Sequence, residues 1–298
     1  MPSRWTRRDI AQMRALVRRA EPKVRRAFLQ AVQRTQAAVP AQAMAAKVAA
    51  GDIDGALNLV PWDRLQTGRL RNDIAAELRG VYEGAGTIGA ARFASTGFAF
   101  TVIDERPLKW LQEYAGKRVA ELLPDQREAM RVALTEGYRM GLGATNLARQ
   151  IRQEVPGTFL HGAWREAVAR FEDDMVLEGY GPKRVASEVA RYQQQLVNAR
   201  SLSIARTETA NAASAGRLES WQQAIDQGVI TQDEIRVRWM PAADGGPKGT
   251  GPCEACAAFG DMDPVPWGTP FGKNVFGEDC YAEPQHPNCR CLTSLEFV

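Results

Sequence analysis

All five cysteines of this 298-residue chain lie between Cys253 and Cys291, together with one of its two histidines. The order is Cys253-Glu-Ala-Cys256, then a Gly/Pro-rich excursion carrying Cys280, then His286-Pro-Asn-Cys289-Arg-Cys291. A Cys-x2-Cys pair followed at a distance by His-x2-Cys-x-Cys is how a chain presents thiolates and an imidazole to one zinc ion. A structural zinc site closes four positions with protein atoms, and Cys253, Cys256, His286, Cys289 and Cys291 are five candidates for them. Cys253 and Cys256 are the firmest pair. His286 and Cys289 have a second such spacing, and Cys291 either replaces one of them or points into the core of a final strand. Cys280 sits in an acidic context, Gly277-Glu-Asp-Cys280, with no pair spacing.

Five is an odd count, so a disulfide framework would leave one thiol over. The start, Met1-Pro-Ser-Arg-Trp-Thr-Arg-Arg8, leads into an arginine-rich amphipathic stretch without the apolar core of a secretory signal. No uncharged apolar run approaches the ~18–20 residues that span a bilayer. The expectation is a reducing compartment, where clustered cysteines bind metal more often than they oxidise; unpaired thiols with no site and a disulfide stay open as alternatives.

Catalysis by the same cluster lacks its other half. Pro252-Cys253-x-x-Cys256 resembles the second part of a zinc deaminase signature, but that chemistry needs a His-x-Glu whose carboxylate shuttles protons. His161 is followed by Gly162-Ala163, and His286 has Asn288 in the Glu position. A Cys–His nucleophile pair would need an orienting acid or amide, and neither histidine carries one in a recognisable pattern. The cluster therefore reads as a staple. His161, beside Trp164, reads as a capping or packing histidine.

Charge is distributed unevenly. Residues 1–50 hold eleven Lys or Arg against Asp9 and Glu21, whereas residues 201–298 hold thirteen acidic side chains against seven basic ones. Such polarity concerns partners rather than fold: Arg7, Arg8, Arg14, Arg18, Arg19, Arg25 and Arg26 form a basic face for phosphate or an acidic protein surface, or a solvated helix face.

The front two-thirds reads as helix. Ile10, Met13, Leu16 and Val17, then Val24, Ala27, Phe28, Ala31 and Val32, recur at helical spacing. Pro22 removes an N–H and crowds the preceding turn, which predicts a kink or break there. A second break is expected at Val39-Pro40, and a polar turn from Gly51 to Gly55 ends the basic arm. Helices are expected over 63–95, 107–122, 125–141, 145–154, 161–178 and 182–198. Gly84-Ala-Gly-Thr-Ile-Gly89 lacks the Gly-Lys-Ser/Thr ending of a phosphate loop, and its small residues suit close helix packing better. Leu202, Ala205, Ala212, Ala213 and Gly216 form a second narrow seam, continued by Leu218, Trp221 and Ile225, which predicts a helix central to the C-terminal part. Ile235-Arg-Val-Arg-Trp-Met240 alternates like a half-buried strand, and the segment from Cys291 to Val298 reads as a closing strand. The fold class is mainly α: a basic helical arm (1–60), a helical domain (61–199) and a small α+β C-terminal domain (200–298) with a Cys/His zinc-type knuckle.

Ile204-Ala-Arg-Thr-Glu-Thr-Ala210, an Ala/Asn/Gly-containing helix, a Trp-bearing strand, Cys-x2-Cys and His286-Pro-Asn-Cys-Arg-Cys291, in this order, resemble the Mu F-like family. These are minor head, or head-morphogenesis, proteins of tailed bacteriophages. The similarity covers roughly residues 140–298, including Met140-Gly-Leu-Gly-Ala-Thr-Asn-Leu-Ala-Arg-Gln-Ile151, where Thr145 or Asn146 could cap a helix. Two stretches depart from the pattern, one between Trp239 and Cys253 and one between Phe271 and Glu283, which adds Cys280. The resemblance implies a non-enzymatic virion protein near the portal vertex inside the capsid. Its partners would be the portal protein, with major capsid or scaffold proteins and phage DNA as further contacts, and neither a membrane nor a small-molecule substrate. Arg206 and Glu208 belong to the shared motif; two apart on a helix they point differently, and each is expected to bond a separate backbone or loop group. A zinc-containing DNA-binding module is the alternative reading, and a nuclease or cysteine hydrolase a third.

Overall fold

A computed structural model of the chain describes residues 5–61, 69–113, 131, 135, 139, 143–145, 162–243 and 251–298. The described residues are mainly helical, with a small sheet near the C-terminus. The helices expected at 125–141 and 145–154, the end of 107–122, His161, and most of the 140–151 and 244–250 stretches lie outside the described residues. Thr145 is described within a helical turn, and Asn146 lies outside.

The first helix, α1 (Arg7–Ala37), opens on a reciprocal cap: the Asp9 N–H donates to Thr6 Oγ1, and the Thr6 N–H donates to the Asp9 carboxylate at 2.8 Å. Its apolar stripe buries Met13, Ala20, Val24, Phe28 and Ala31. The break expected at Pro22 does not occur, and α1 continues through it. The proline ring lies on the exposed side, between buried Ala20 and Val24, so only one backbone hydrogen bond is lost while the stripe continues. Pro40 does end the first run, standing as N-cap of α2 (Ala41–Ala49). The turn at Gly51 (φ 74°) is shorter than expected, because Asp52 accepts from the Gly55 N–H at 2.8 Å and starts α3 (Ile53–Asn58).

The chain forms two compact units that are composites rather than consecutive stretches. One comprises residues 26–73 and 117–202. Within it Val39, Met44, Val48, Ala56, Leu57 and Val60 make a core, Arg131 pairs with Asp54, and Phe171 stacks on Tyr192 at 4.8 Å between α6 (Gly162–Leu177) and the start of α7 (Pro182–Asp226). The other comprises residues 1–25, 74–116 and 203–298. The C-terminal segment thus shares its unit with chain from the expected arm (1–60) and from the expected helical domain (61–199). The composition shift near residue 200 marks no end of a helix either. With no Pro or Gly between Arg184 and Ala215, α7 runs unbroken across it.

In this second unit the two small-residue seams meet. Gly216 on α7 faces the Tyr82 backbone carbonyl of α4 (Arg69–Ala90), and Gly89 faces Ser220, Arg217 and Trp221. A three-stranded antiparallel sheet completes the unit, in the order β2 (Val265–Pro266), β1 (Ile235–Met240), β5 (Leu292–Phe297). The β1–β5 register runs from Ile235 opposite Phe297 to Met240 opposite Leu292. Alternate β1 residues Ile235, Val237 and Trp239 are buried, as the period of two requires. Under the sheet, Trp239 packs edge-on against Phe259 at 5.2 Å and Phe271 at 5.3 Å. A two-stranded hairpin, β3 (Gly272–Lys273) with β4 (Asp279–Cys280), lies beside α8 (Glu254–Gly260) in the chain's last part.

The seam gives a paired test. A methyl at position 216 would overlap the Tyr82 carbonyl oxygen, and backbone cannot swing aside, so Gly216→Ala should cost about 1–3 kcal/mol or more. Gly80, on the exposed side of α4, has nothing within 4 Å of its added methyl. Gly80→Ala should stabilise by roughly 0.5–1 kcal/mol through helix propensity. Urea unfolding of the two variants measures both signs.

Candidate metal centre

Local structure explains how each candidate ligand arrives. Cys253 is the extended N-cap residue of α8 and Cys256 lies in its first turn, so one helical turn places both thiols on the same side. The loop that follows β4 carries the other three. Its Cys289 N–H closes a turn on the His286 carbonyl at 3.1 Å, and Asn288 adopts a left-handed φ of 62°. That conformation turns the Asn288 N–H onto Thr207 Oγ1 (3.1 Å) and its side-chain amide onto Ser203 Oγ (2.9 Å), both on α7.

The sulfur and nitrogen atoms converge. His286 Nε2 is 3.1 Å from Cys253 Sγ and 3.2 Å from Cys256 Sγ, and Cys256 Sγ is 3.8 Å from Cys289 Sγ. Two groups result, Cys253–Cys256–His286 and Cys256–Cys289–Cys291, each with its ligand atoms within 4.8 Å of one another. Cys256 belongs to both. The five residues expected from sequence are therefore brought together, and their spacing could hold a metal ion. Cys280 is in neither group: it is buried, and its thiol donates to the Ala282 carbonyl at 3.3 Å. Burial, then the Glu283 carboxylate, pushes that thiol up to about 12.

Polarity in the cluster suits a cation. His286 Nδ1 lies 2.7 Å from the Pro287 carbonyl, where an N–H is accommodated, so in the neutral ring the lone pair is on Nε2, facing Cys253 and Cys256. Crowding of the thiols splits their acidities. Hydrogen bonds from Cys256 and Cys289 pull Cys291 down, while the neighbouring Cys289 and Cys291 push Cys256 up. Without a cation the cluster holds few thiolates at once, because like charges at these distances repel. A divalent ion relieves that repulsion and takes the sulfurs as thiolates.

The motif residues Arg206 and Glu208 are not surface charges. Arg206 Nε reaches the Glu21 carboxylate of α1 at 3.5 Å, a side-chain partner where a backbone or loop group was expected; Glu208 is buried. Of the basic face, Arg7, Arg8, Arg18, Arg19 and Arg26 are exposed, while Arg14 and Arg25 are half-buried.

Sequence reading missed Arg217. It is fully buried, and its Nη2 donates to both oxygens of Glu283 (2.8 and 2.9 Å) and to Thr293 Oγ1 (2.7 Å). Burial pushes the Glu283 carboxyl up, and the Arg217 charge opposes this. A signal was available: Ala210, Ala213, Arg217, Ser220, Trp221 and Ala224 share the helical spacing of one buried face, so Arg217 had to be inside.

No family model, no curated protein and no solved structure matches this chain.

Because Cys256 is common to both groups, Cys256→Ser should abolish stoichiometric metal binding and lower the melting temperature of the chain. Cys280→Ser should leave the metal content unchanged. Elemental analysis of the two purified variants, alongside thermal unfolding with and without a chelator, checks the contrast.

Proposed function

We propose that this chain is a structural minor capsid, or head-morphogenesis, protein of a tailed bacteriophage. It would sit at the portal vertex inside the head and act in head assembly and in genome packaging or ejection. The observation that supports this is the contact between the two motifs of the resemblance. Asn288, inside His-Pro-Asn-Cys-Arg-Cys, donates its N–H to Thr207, inside Ala-Arg-Thr-Glu, at 3.1 Å. Motifs eighty-one positions apart have no reason to meet if each matches by accident, so their docking favours a shared architecture.

On this reading the Cys/His cluster is a structural zinc site. Cys253, Cys256, His286 and either Cys289 or Cys291 supply three thiolates and one imidazole, and no position is left for substrate. The role is one of scaffolding, without a catalytic step. The portal protein is the principal partner, with major capsid or scaffold proteins and packaged DNA as further contacts.

The second reading, a zinc-containing DNA-binding protein, is favoured by the exposed guanidinium groups of Arg7, Arg8, Arg18, Arg19 and Arg26. The two make different predictions. A minor capsid protein should purify with proheads or mature particles at a copy number at or below that of the portal ring, and should cross-link to the portal protein. Absence from both particle types would remove the reading. The DNA-binding protein should bind duplex DNA alone, with an affinity that falls steeply with salt and is lost when residues 1–50 are deleted.

A further inference from the structure

We propose that a cavity in the unit formed by residues 1–25, 74–116 and 203–298 is a binding site for a phosphate group. The inference does not depend on the capsid reading. The cavity has a volume of about 370 Å³, and four arginines from three parts of the chain stand on its wall. Arg14 and Arg18 come from consecutive turns of α1, Arg206 from α7, and Arg290 from the loop between Cys289 and Cys291. The intervening surface is made of small apolar groups, with Val17, Ala210 and Ala213 among them.

The charge balance sets the sign of the ligand. Among the described lining residues guanidinium groups outnumber carboxylates four to two, the carboxylates being Glu21 and Glu283. Both have arginine partners: Glu21 meets Arg206 at 3.5 Å, and Glu283 is held on both oxygens by buried Arg217. Arg14 and Arg18 have no carboxylate partner among the described residues, so the part of the wall they form carries uncompensated positive charge. Bringing like charges together from distant parts of a chain is unfavourable, more so in a partly enclosed space where water screens them less. A bound anion offsets that cost.

The shape and the cation type select among anions. Arginine presents a planar fork that matches the oxygens of a phosphate in pairs, and its charge persists at every physiological pH. A cavity of this volume is on the scale of small-ligand sites, roughly 300–1,000 Å³, rather than of a groove for an extended acidic peptide. The wall is also pre-positioned. Arg18 Nε donates to the Arg14 carbonyl at 3.3 Å, and Arg290 lies between two buried residues, Cys289 and Cys291, that fix its backbone. The phosphate could come from a free small molecule, from a nucleic-acid 5′ end or from a nucleic-acid backbone.

Calorimetric titration of the intact, metal-loaded chain with inorganic phosphate tests the site. Saturable binding at one site per chain is expected. The double variant Arg14→Gln/Arg18→Gln should weaken it about tenfold or more, the effect of losing hydrogen bonds to a charged group. Arg79→Gln, on the exposed side of α4, should leave it unchanged. If the first double variant does not fold, Arg290→Lys keeps the charge but removes the fork, and should weaken binding too. Competition with two oligothymidylates of equal length identifies the source. Displacement by the 5′-phosphorylated one alone indicates a terminal monoester, displacement by both a backbone diester, and displacement by neither a free small phosphate. Lack of saturable phosphate binding, binding unaffected by the cavity variants, or equal loss in Arg79→Gln would overturn the proposal.

Discussion

The buried guanidinium of Arg217 is the constraint around which the C-terminal structure is arranged. It is fully enclosed, bidentate on Glu283 through one nitrogen, bonded to Thr293, and lies 5.6 Å from the Trp5 ring and 5.4 Å from that of Trp221. Glu283 comes just before His286, and Thr293 just after Cys291. The two ends of the loop that carries His286, Cys289 and Cys291 are thus tied to one side chain of α7. A buried ion pair adds little net stability over an apolar substitute, yet removing one partner strands a charge at a cost of about 3–5 kcal/mol. Its value here is geometric. It fixes where the loop leaves and returns, and the Asn288 contacts to Thr207 and Ser203 fix its middle.

Once the loop is held at both ends, the Cys/His cluster needs only α8 to complete it. Cys253 and Cys256 approach from the opposite side on a single helical turn, and Cys256 is shared between the two groupings of ligand atoms. The same thiols belong to the apolar cluster of Val237, Trp239, Val265 and Phe271. The candidate ligands and the core packing are therefore one assembly, and a change in either is felt in both. The arginine-lined cavity adjoins it, since Cys289, Arg290 and Cys291 contribute to its wall.

Much of this was legible in the sequence because it is local. Cys-x2-Cys spacing, the alternation of Ile235–Met240 and the small-residue seams at Gly84–Gly89 and Ala205–Gly216 each encode a geometry within a few residues. The close approach of Gly216 to Tyr82 and of Gly89 to Ser220 follows directly from those seams. What could not be read were decisions made by tertiary contact. Pro22 sits inside α1 because the burial of Ala20 and Val24 outweighs one lost hydrogen bond. The charge shift near residue 200 looked like a boundary, yet α7 passes through it because nothing there breaks a helix. Arg206 found its partner in Glu21, on an element whose proximity no spacing rule supplies. The basic residues of α1 also looked equivalent, and only the fold places Arg14 and Arg18, but not Arg7 and Arg8, on a cavity wall.

The loop anchored by Arg217 and the start of α8 bring together enough ligand atoms to close four positions around one metal ion. Zinc-edge X-ray absorption on the intact purified chain tests this most directly. About one zinc per chain is expected, with three sulfurs at roughly 2.3 Å and one imidazole nitrogen at roughly 2.0–2.1 Å. A metal-free chain whose thiols are free or joined in disulfides, or a zinc surrounded only by oxygen and nitrogen, would contradict it.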